Sequence, residues 1–269
     1  QGTQLYLAEL FLGIEPSTAI TRDHAYGPDE RYRLDVFTND RYREAPLLVF
    51  VHGGGFVAGD KRSPTLPFYD NVGDFAVRAG FVGVTMTYRL APAHPWPAGS
   101  EDVAAAVKWL RANVVSRGGN PRRIFLIGQS AGATHVAGYV AHSRFHGPDG
   151  VGIAGALLIS GVYDLSRSDP NPFQRAYYGE DQEKWAACST LEGLVATPLP
   201  LLFSVSEFDG VDFQRQAAFV TTAFSHVHGR FPRLHWLGGH NHLSPVLAVG
   251  SLLDSLGPLI RDFVETVGG

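Results

Sequence analysis

The sequence predicts an α/β fold, and three observations lead to this prediction. Short apolar runs bounded by turn residues recur along the 269 residues, as expected for strands buried on both faces of a parallel sheet. Segments with apolar residues three or four positions apart lie between these runs, as in amphipathic helices. The length and the 45% hydrophobic content support one sizeable core. We therefore predict a mainly parallel central sheet flanked by helices, in a single domain spanning residues 1–269.

Six apolar runs are predicted to be buried strands, because each is short and ends at turn residues. They cover residues 47–51, 81–88, 124–128, 154–159, 201–205 and 233–237. A seventh segment, residues 32–38, alternates apolar and polar positions and is predicted to be an edge strand.

Four segments between these runs have helical spacing. They cover residues 100–119, 131–145, 211–227 and 244–267. Ser100 is a candidate N-cap for the first, and Gly118-Gly119 would end it. In the last segment, Pro258 is expected to kink or break the helix.

Two segments fall outside the alternation and are predicted to form a small cap, at about residues 1–20 and 163–198. The second is polar and irregular but contains several aromatic residues, and a long loop in a compact domain is usually functional or disordered. The aromatic residues favour an insertion over the sheet. The stretch from Leu5 to Leu12 has roughly helical spacing and would either cover the site or pack on the body of the domain.

Composition limits the partners and the location. The net charge is -4 with no block of like charges, so neither a nucleic acid nor a membrane surface is an expected partner. Cys188 is the one cysteine, which excludes an internal disulfide. No apolar run reaches the 18 residues typical of a membrane helix, and no signal peptide pattern is visible. We expect a cytoplasmic protein; a homodimer stays open.

The segment Gly128-Gln129-Ser130-Ala131-Gly132 follows a predicted strand and precedes a predicted helix. Ser130 could be an ordinary turn serine or helix cap, or the nucleophile of a G-x-S-x-G elbow, which demands this strand-turn-helix context. A second glycine-rich segment, HGGGF at residues 52–56, also follows a predicted strand. Three consecutive glycines give the backbone the freedom to point N–H groups at a substrate oxygen. We predict that the N–H groups of Gly54, Gly55 and Ala131 form an oxyanion hole, and that His52 is structural.

These motifs resemble a known family. HGGGF, YRLAPAHPWPAGSEDV and GQSAG resemble the HGGG-type α/β-hydrolases, the hormone-sensitive-lipase-like carboxylesterases, while DERYRLDVF and GHNHLS resemble the neighbouring kynurenine-formamidase-like branch. The resemblance runs from about Gly27 to the C-terminus. It implies an α/β-hydrolase fold with an eight-stranded sheet, a small cap, hydrolysis of carboxylic esters or related acyl bonds, and a triad in the order Ser, acid, His. Gly210 departs from the family, which often has proline after the acid.

That order points to an acid after the 201–205 run and a base after the last strand. Glu207, Asp209 and Asp212 are the candidate acids, and Asp209 occupies the family position. His240 and His242 are the candidate bases, and His242 aligns with the family histidine. The catalytic set predicted is Ser130, Asp209 and His242.

The predicted function is a serine carboxylesterase that acts on small esters through an acyl-enzyme. An arylformamidase-type amidase with the same triad is the first alternative, and a non-catalytic hydrolase-fold binding protein is the second. No H-E-x-x-H motif or Cys/His cluster is present, so we expect neither a metal nor another cofactor. Phe56, Gln129, Tyr177 and Trp185 are the candidate substrate contacts.

Overall fold

An eight-stranded sheet forms the centre of the computed structural model, which describes residues 2–267. The strands are β1 (Ala19–Ala25), β2 (Arg33–Thr38), β3 (Ala45–Val51), β4 (Val82–Met86), β5 (Gly119–Gln129), β6 (Gly155–Ile159), β7 (Leu201–Phe208) and β8 (Arg233–Asn241). Their order in the sheet is β1-β2-β4-β3-β5-β6-β7-β8. Strand β2 is antiparallel to both neighbours. The other six strands, β4-β3-β5-β6-β7-β8 in sheet order, are parallel to one another. The predicted α/β fold with a mainly parallel sheet is confirmed.

Helices cover both faces of this sheet. They are α1 (Gly2–Glu9), α2 (Asp70–Arg78), α3 (Ala98–Asn113), α4 (Ala131–Ala141), α5 (Pro172–Tyr178), α6 (Leu191–Ala196), α7 (Val211–His228), α8 (Ser244–Leu247) and α9 (Gly257–Val267). One core layer packs α3, α4, α6 and α7 against the sheet, and the other packs α2, α8 and α9 against the opposite face. None of these helices is long and apolar enough to cross a membrane.

All six predicted apolar runs are strands, but the prediction of residues 32–38 as an edge strand is wrong. Strand β2 lies between β1 and β4, and β1 is the edge. The sequence of β1, AITRDHA, is mostly exposed and carries no apolar periodicity, so it escaped detection. Side-chain contacts attach it to β2, because the Arg22 guanidinium donates to the buried Asp35 carboxylate at 2.8 Å.

Two predicted helix features need correction. Helix α3 begins at Ala98, so Ser100 lies inside its first turn, where its hydroxyl donates to the carbonyl oxygen of His135 at 3.2 Å. The 244–267 segment forms two helices, α8 and α9, and the break precedes Pro258. Pro258 instead lies in the first turn of α9, where proline is tolerated because its missing N–H would be unpaired anyway. Helix α2 was not predicted.

The two predicted cap segments differ in position. The 163–198 segment is more regular than expected, because it holds α5, α6 and two 3-10 helices (Leu165–Arg167 and Gln182–Cys188). At the N-terminus, Leu7 of α1 is buried with Phe68, Leu247 and Ala248. Helix α1 therefore packs on the body of the domain, against α8.

Two fully buried histidines make the fold sensitive to acid. Burial lowers the pKa of His52 to about 4 and the pKa of His135 to about 3, whereas an unfolded histidine titrates near ~6.5. Between these values the unfolded chain binds more protons than the folded chain, so acid favours unfolding. We expect each histidine to remove about 2 kcal/mol from the free energy of unfolding as pH falls from about 7 to about 5.

Denaturant unfolding of the wild type and His135→Gln at the two pH values measures this effect. The variant should lose less stability on acidification than the wild type, by the contribution of one histidine. His226→Gln, at an exposed position of α7, is the matched control. It should lose as much stability on acidification as the wild type. An equal loss in His135→Gln and the wild type would contradict the prediction.

Candidate active site

Ser130 lies on a sharp turn between β5 and α4. Its backbone has φ 56° and ψ −119°, a conformation that is uncommon for a residue with a side chain. The turn brings α4 so close to the end of β3 that a Cβ on Gly132 would lie 2.1 Å from the carbonyl oxygen of Val51. A Cβ on Gly128 would lie 2.4 Å from the carbonyl oxygen of Gly132. The glycines of the G-x-S-x-G segment are therefore steric requirements of the turn.

The structure brings Ser130, His242 and Asp209 into one chain of hydrogen bonds. Ser130 Oγ is 2.8 Å from Nε2 of His242, and Nδ1 of the same ring is 2.6 Å from Oδ1 of Asp209. The three residues follow β5, β8 and β7, whose carboxyl ends meet at one edge of the sheet. A hydroxyl, an imidazole and a buried carboxylate in this order can perform nucleophilic catalysis.

Further contacts hold the acid and the base in place. Asp209 Oδ2 accepts hydrogen bonds from Ser160 Oγ and from the Ser206 N–H, both at 2.7 Å. The Gln129 amide donates to the carbonyl oxygen of His242 at 2.9 Å, and the Phe213 ring stacks on the imidazole at 4.3 Å. Sequence reasoning missed Ser160 and Phe213, since neither belongs to a recognisable local pattern.

The alternative acids and base lie outside the hydrogen-bond chain of Ser130, His242 and Asp209, and two of them, Glu207 and His240, have other partners. Glu207 accepts from the Gly239 N–H at 2.7 Å. Asp212 lies in the first turn of α7, where burial raises the pKa of its carboxyl. The His240 ring is bonded through Nδ1 and Nε2 to the hydroxyls of Ser244 and Ser255, at 2.9 and 2.6 Å.

The HGGGF segment forms a loop, and two of its glycine N–H groups have no acceptor among the described residues. Gly54 and Gly55 have φ values of 131° and 59°, which glycine adopts without a steric penalty. Within residues 2–267, the N–H groups of Gly54, Gly55 and Ala131 donate to no other group. All three residues line the same cavity as Ser130. They are thus available to a substrate oxygen.

A ring stack between Phe56, the last residue of this loop, and Tyr177 supports the loop. Phe56 is held at φ 70°, and its ring stacks on Tyr177 at 4.6 Å and 3° between planes. The Phe56 carbonyl oxygen accepts from the Ala91 N–H at 2.9 Å. The Tyr177 hydroxyl in turn accepts from the Gly99 N–H at 3.1 Å. Helix α5 therefore braces the glycine loop.

A cavity of about 450 Å³ opens over Ser130. Besides Ser130, His242 and the three N–H donors, its wall comprises Phe56, Gln129, Thr134, Val162, Asn171, Phe173, Gln174, Phe213 and Leu243. A mostly apolar wall with few polar groups is typical of a small-molecule site. Within residues 2–267, no group of three or more His, Cys, Asp or Glu side chains is arranged to hold a metal ion.

Of the four predicted substrate contacts, Phe56 and Gln129 lie on the cavity wall, and Tyr177 and Trp185 do not. Both are buried within the 163–198 segment, and the Trp185 indole N–H donates to the Gly179 carbonyl oxygen at 3.0 Å. They form the interior of the cap segment, so we correct the prediction that they contact the substrate directly.

The wall residues that α5 contributes were missed. Asn171 and Gln174 form a capping box: the Asn171 side chain accepts from the Gln174 N–H, and the Gln174 side chain accepts from the Asn171 N–H. The sequence NPFQ carries the signal for this helix start, since Asn caps helices, Pro favours the first turn and Gln suits the third position. Recognising it would have placed a helix in the insertion, with Phe173 in its first turn.

Comparison with known proteins places the fold in a family. A model described as the alpha/beta hydrolase fold matches residues 48–197, and the chain therefore belongs to that family. It is similar to the esterase LipQ of Mycobacterium tuberculosis, with 33% identity over 163 residues, which cover 56% of this chain and 37% of that protein. The chain spans between 26% and 54% of the length of the curated relatives it matches.

Solved structures agree with this assignment. A truncated carbohydrate esterase from gut microbiota has a TM-score of 0.78 and 17% identity, covering 94% of this chain and 98% of that chain. An esterase from the bacterial hormone-sensitive lipase (HSL) family has a TM-score of 0.71 and 22% identity, covering 98% and 88%. The α/β-hydrolase fold and the hormone-sensitive-lipase-like resemblance are confirmed. The kynurenine-formamidase-like branch stays a prediction.

The bond between Ser160 and Asp209 yields a testable expectation. Ser160→Gly removes the hydroxyl without straining a backbone that has φ 50°. A hydrogen bond to a charged group contributes about 1.5–3 kcal/mol, and the Ser206 N–H remains, so we expect kcat/KM for an ester to fall roughly 10-fold. The loss should appear in kcat, because Ser160 does not line the cavity.

Ser204→Gly removes a nearby buried hydroxyl of β7 that has no hydrogen-bond partner among residues 2–267, and this variant serves as the control. Turnover of Ser160→Gly equal to that of Ser204→Gly would show that the Asp209 orientation does not depend on Ser160.

Proposed function

We propose that this chain is a serine carboxylesterase that hydrolyses short-chain carboxylic esters. The observation that carries the proposal is the continuous set of hydrogen bonds from Ser130 Oγ through His242 to Asp209, at 2.8 and 2.6 Å. The free N–H groups of Gly54, Gly55 and Ala131 beside that hydroxyl support it. The relative LipQ, named an esterase, is of the same functional class.

In the first half-reaction, Ser130 Oγ attacks the acyl carbon while Nε2 of neutral His242 accepts its proton. Asp209 holds Nδ1–H and stabilises the imidazolium that forms. The negative charge that develops on the carbonyl oxygen is stabilised by the N–H groups of Gly54, Gly55 and Ala131. The tetrahedral intermediate then collapses, and the alcohol leaves with the proton from His242.

The second half-reaction repeats these steps with water. His242 takes a proton from a water molecule, which attacks the acyl carbon bound to Ser130. The same N–H groups stabilise the second tetrahedral intermediate. Its collapse returns the proton to Ser130 Oγ and releases the carboxylic acid.

The 163–198 segment serves in this proposal as the cap of a single hydrolase domain. Asn171, Phe173 and Gln174 of this segment lie on the cavity wall. Helix α1 contributes no residue to that wall and packs on α8 instead. The cap is therefore small, and it leaves room for a short acyl chain.

Covalent labelling tests the nucleophile. A fluorophosphonate probe should label Ser130, and Ser130→Ala should abolish labelling and lower kcat by roughly 10⁵–10⁶, as in other serine hydrolases that lose the nucleophile. Peptide mapping of the labelled protein and ester turnover are the measurements. Labelling at another residue, or turnover of Ser130→Ala near that of the wild type, would overturn the proposal.

Acyl-chain selectivity tests the size of the cavity. Each methylene buried should contribute about 0.8 kcal/mol until the cavity is full, so kcat/KM on nitrophenyl esters should peak between about C2 and about C6 in a cavity of this size. The measurement is a series from acetate to palmitate, with N-formylkynurenine as an added substrate. A maximum at C10 or longer would contradict the short-chain assignment, and preference for the formamide would favour the arylformamidase alternative.

A further inference from the structure

Gln174 contributes a buried amide to the cavity wall. Its side chain is 2% exposed and lines the cavity beside Phe173. The amide oxygen Oε1 accepts from the Asn171 N–H at 3.2 Å as part of the capping box. That bond orients the amide, so Nε2 is the polar atom left for another partner.

Nε2 has no acceptor within residues 2–267. It also keeps some accessible surface. Because the side chain is almost wholly buried and borders the cavity, the surface that Nε2 retains opens on the cavity. A substrate that fills the cavity would remove water from Nε2. Leaving the donor unpaired there would be unfavourable, and an acceptor on the substrate would satisfy it.

The chemistry of the wall restricts what that acceptor is. The Asn171 amide oxygen is also occupied, by the N–H groups of Phe173 and Gln174, so the start of α5 offers donors to the cavity. In the described part of the chain, the residues that line the cavity include no Lys, Arg, Asp or Glu. An anionic group would be desolvated there without a counter-charge. A neutral oxygen can accept a hydrogen bond from Nε2 and needs no counter-charge.

We propose that Gln174 is a specificity-determining residue that donates a hydrogen bond from Nε2 to a neutral ether, carbonyl or hydroxyl oxygen in the acyl or alcohol part of the ester. The proposal rests on the ester hydrolysis proposed above. A site built to hydrogen-bond a substrate group discriminates against the analogue that lacks it. The preferred substrates are then oxygen-bearing short esters, and plain alkyl esters are poorer.

Isosteric ester pairs test this preference. Nitrophenyl methoxyacetate and nitrophenyl butyrate differ by one oxygen in place of a methylene in the acyl part, and 2-methoxyethyl butyrate and butyl butyrate differ likewise in the alcohol part. The readout is the ratio of kcat/KM within each pair, compared between variants, so that the different intrinsic reactivities of the esters cancel.

Two variants separate the donor from the capping role. Gln174→Glu keeps an oxygen for the Asn171 N–H and loses the donor, and Gln174→Met loses both. Gln182→Met, at an exposed position in the same segment, is the matched control. We expect the ratio for at least one pair to fall roughly 5- to 10-fold in both Gln174 variants and to stay at the wild-type value in the control.

Three other results would overturn the proposal. Ratios in Gln174→Glu and Gln174→Met equal to the wild-type ratios, with turnover of the alkyl esters still measurable, would reduce Gln174 to a helix cap. A fall in Gln174→Met alone would assign the effect to the capping box. If the wild type hydrolyses no member of either pair, the esterase function itself fails, and this inference with it.

Discussion

The close approach between the start of α4 and the end of β3 is the constraint on which the site depends. A Cβ at Gly132 would meet the carbonyl oxygens of Val51 and His52 at 2.1 and 2.5 Å, so only glycine allows the two segments to touch. The contact fixes the Ser130 hydroxyl and the Ala131 N–H relative to the loop that begins at His52. One steric condition therefore aligns the proposed nucleophile with the proposed oxyanion donors before any substrate binds.

The remaining parts of the site are arranged around that hydroxyl by rigid elements. Asp209 and His242 follow neighbouring parallel strands, β7 and β8, whose ends lie at the same sheet edge as the end of β5. Ser160 and Gln129 then fix the carboxylate and the histidine backbone by hydrogen bonds. Because these groups are held in place, the hydrogen-bonding groups of the site need little rearrangement when charge develops in the reaction.

The difference between features with a local sequence pattern and features that depend on contacts in space explains what the sequence could predict. Strands buried on both faces are continuous apolar runs, and the Ser130 turn requires small residues at fixed positions, so both leave strong local patterns. Strand β1 leaves none, because one polar strand at a sheet edge resembles a loop. Ser160 is recognisable only from its distance to Asp209 in space. Tyr177 and Trp185 were misplaced because an aromatic residue in an insertion can form the interior of the cap as readily as the cavity wall.

Helix α5 links the 163–198 segment to the glycine loop, and its residues have different roles. A Cβ on Gly55 would lie 3.0 Å from the Phe173 ring, and Tyr177 stacks on Phe56 one turn further along the helix. Phe173 therefore covers the loop from the cavity side, while Tyr177 supports it from the interior. Gln174 lies between them in sequence and presents an amide to the cavity. Because one short helix both shapes the cavity and holds the loop, a change of substrate preference that moves α5 would also disturb the N–H groups of Gly54 and Gly55. Side-chain substitutions that leave the α5 backbone in place are thus the route by which specificity can change without loss of the oxyanion geometry.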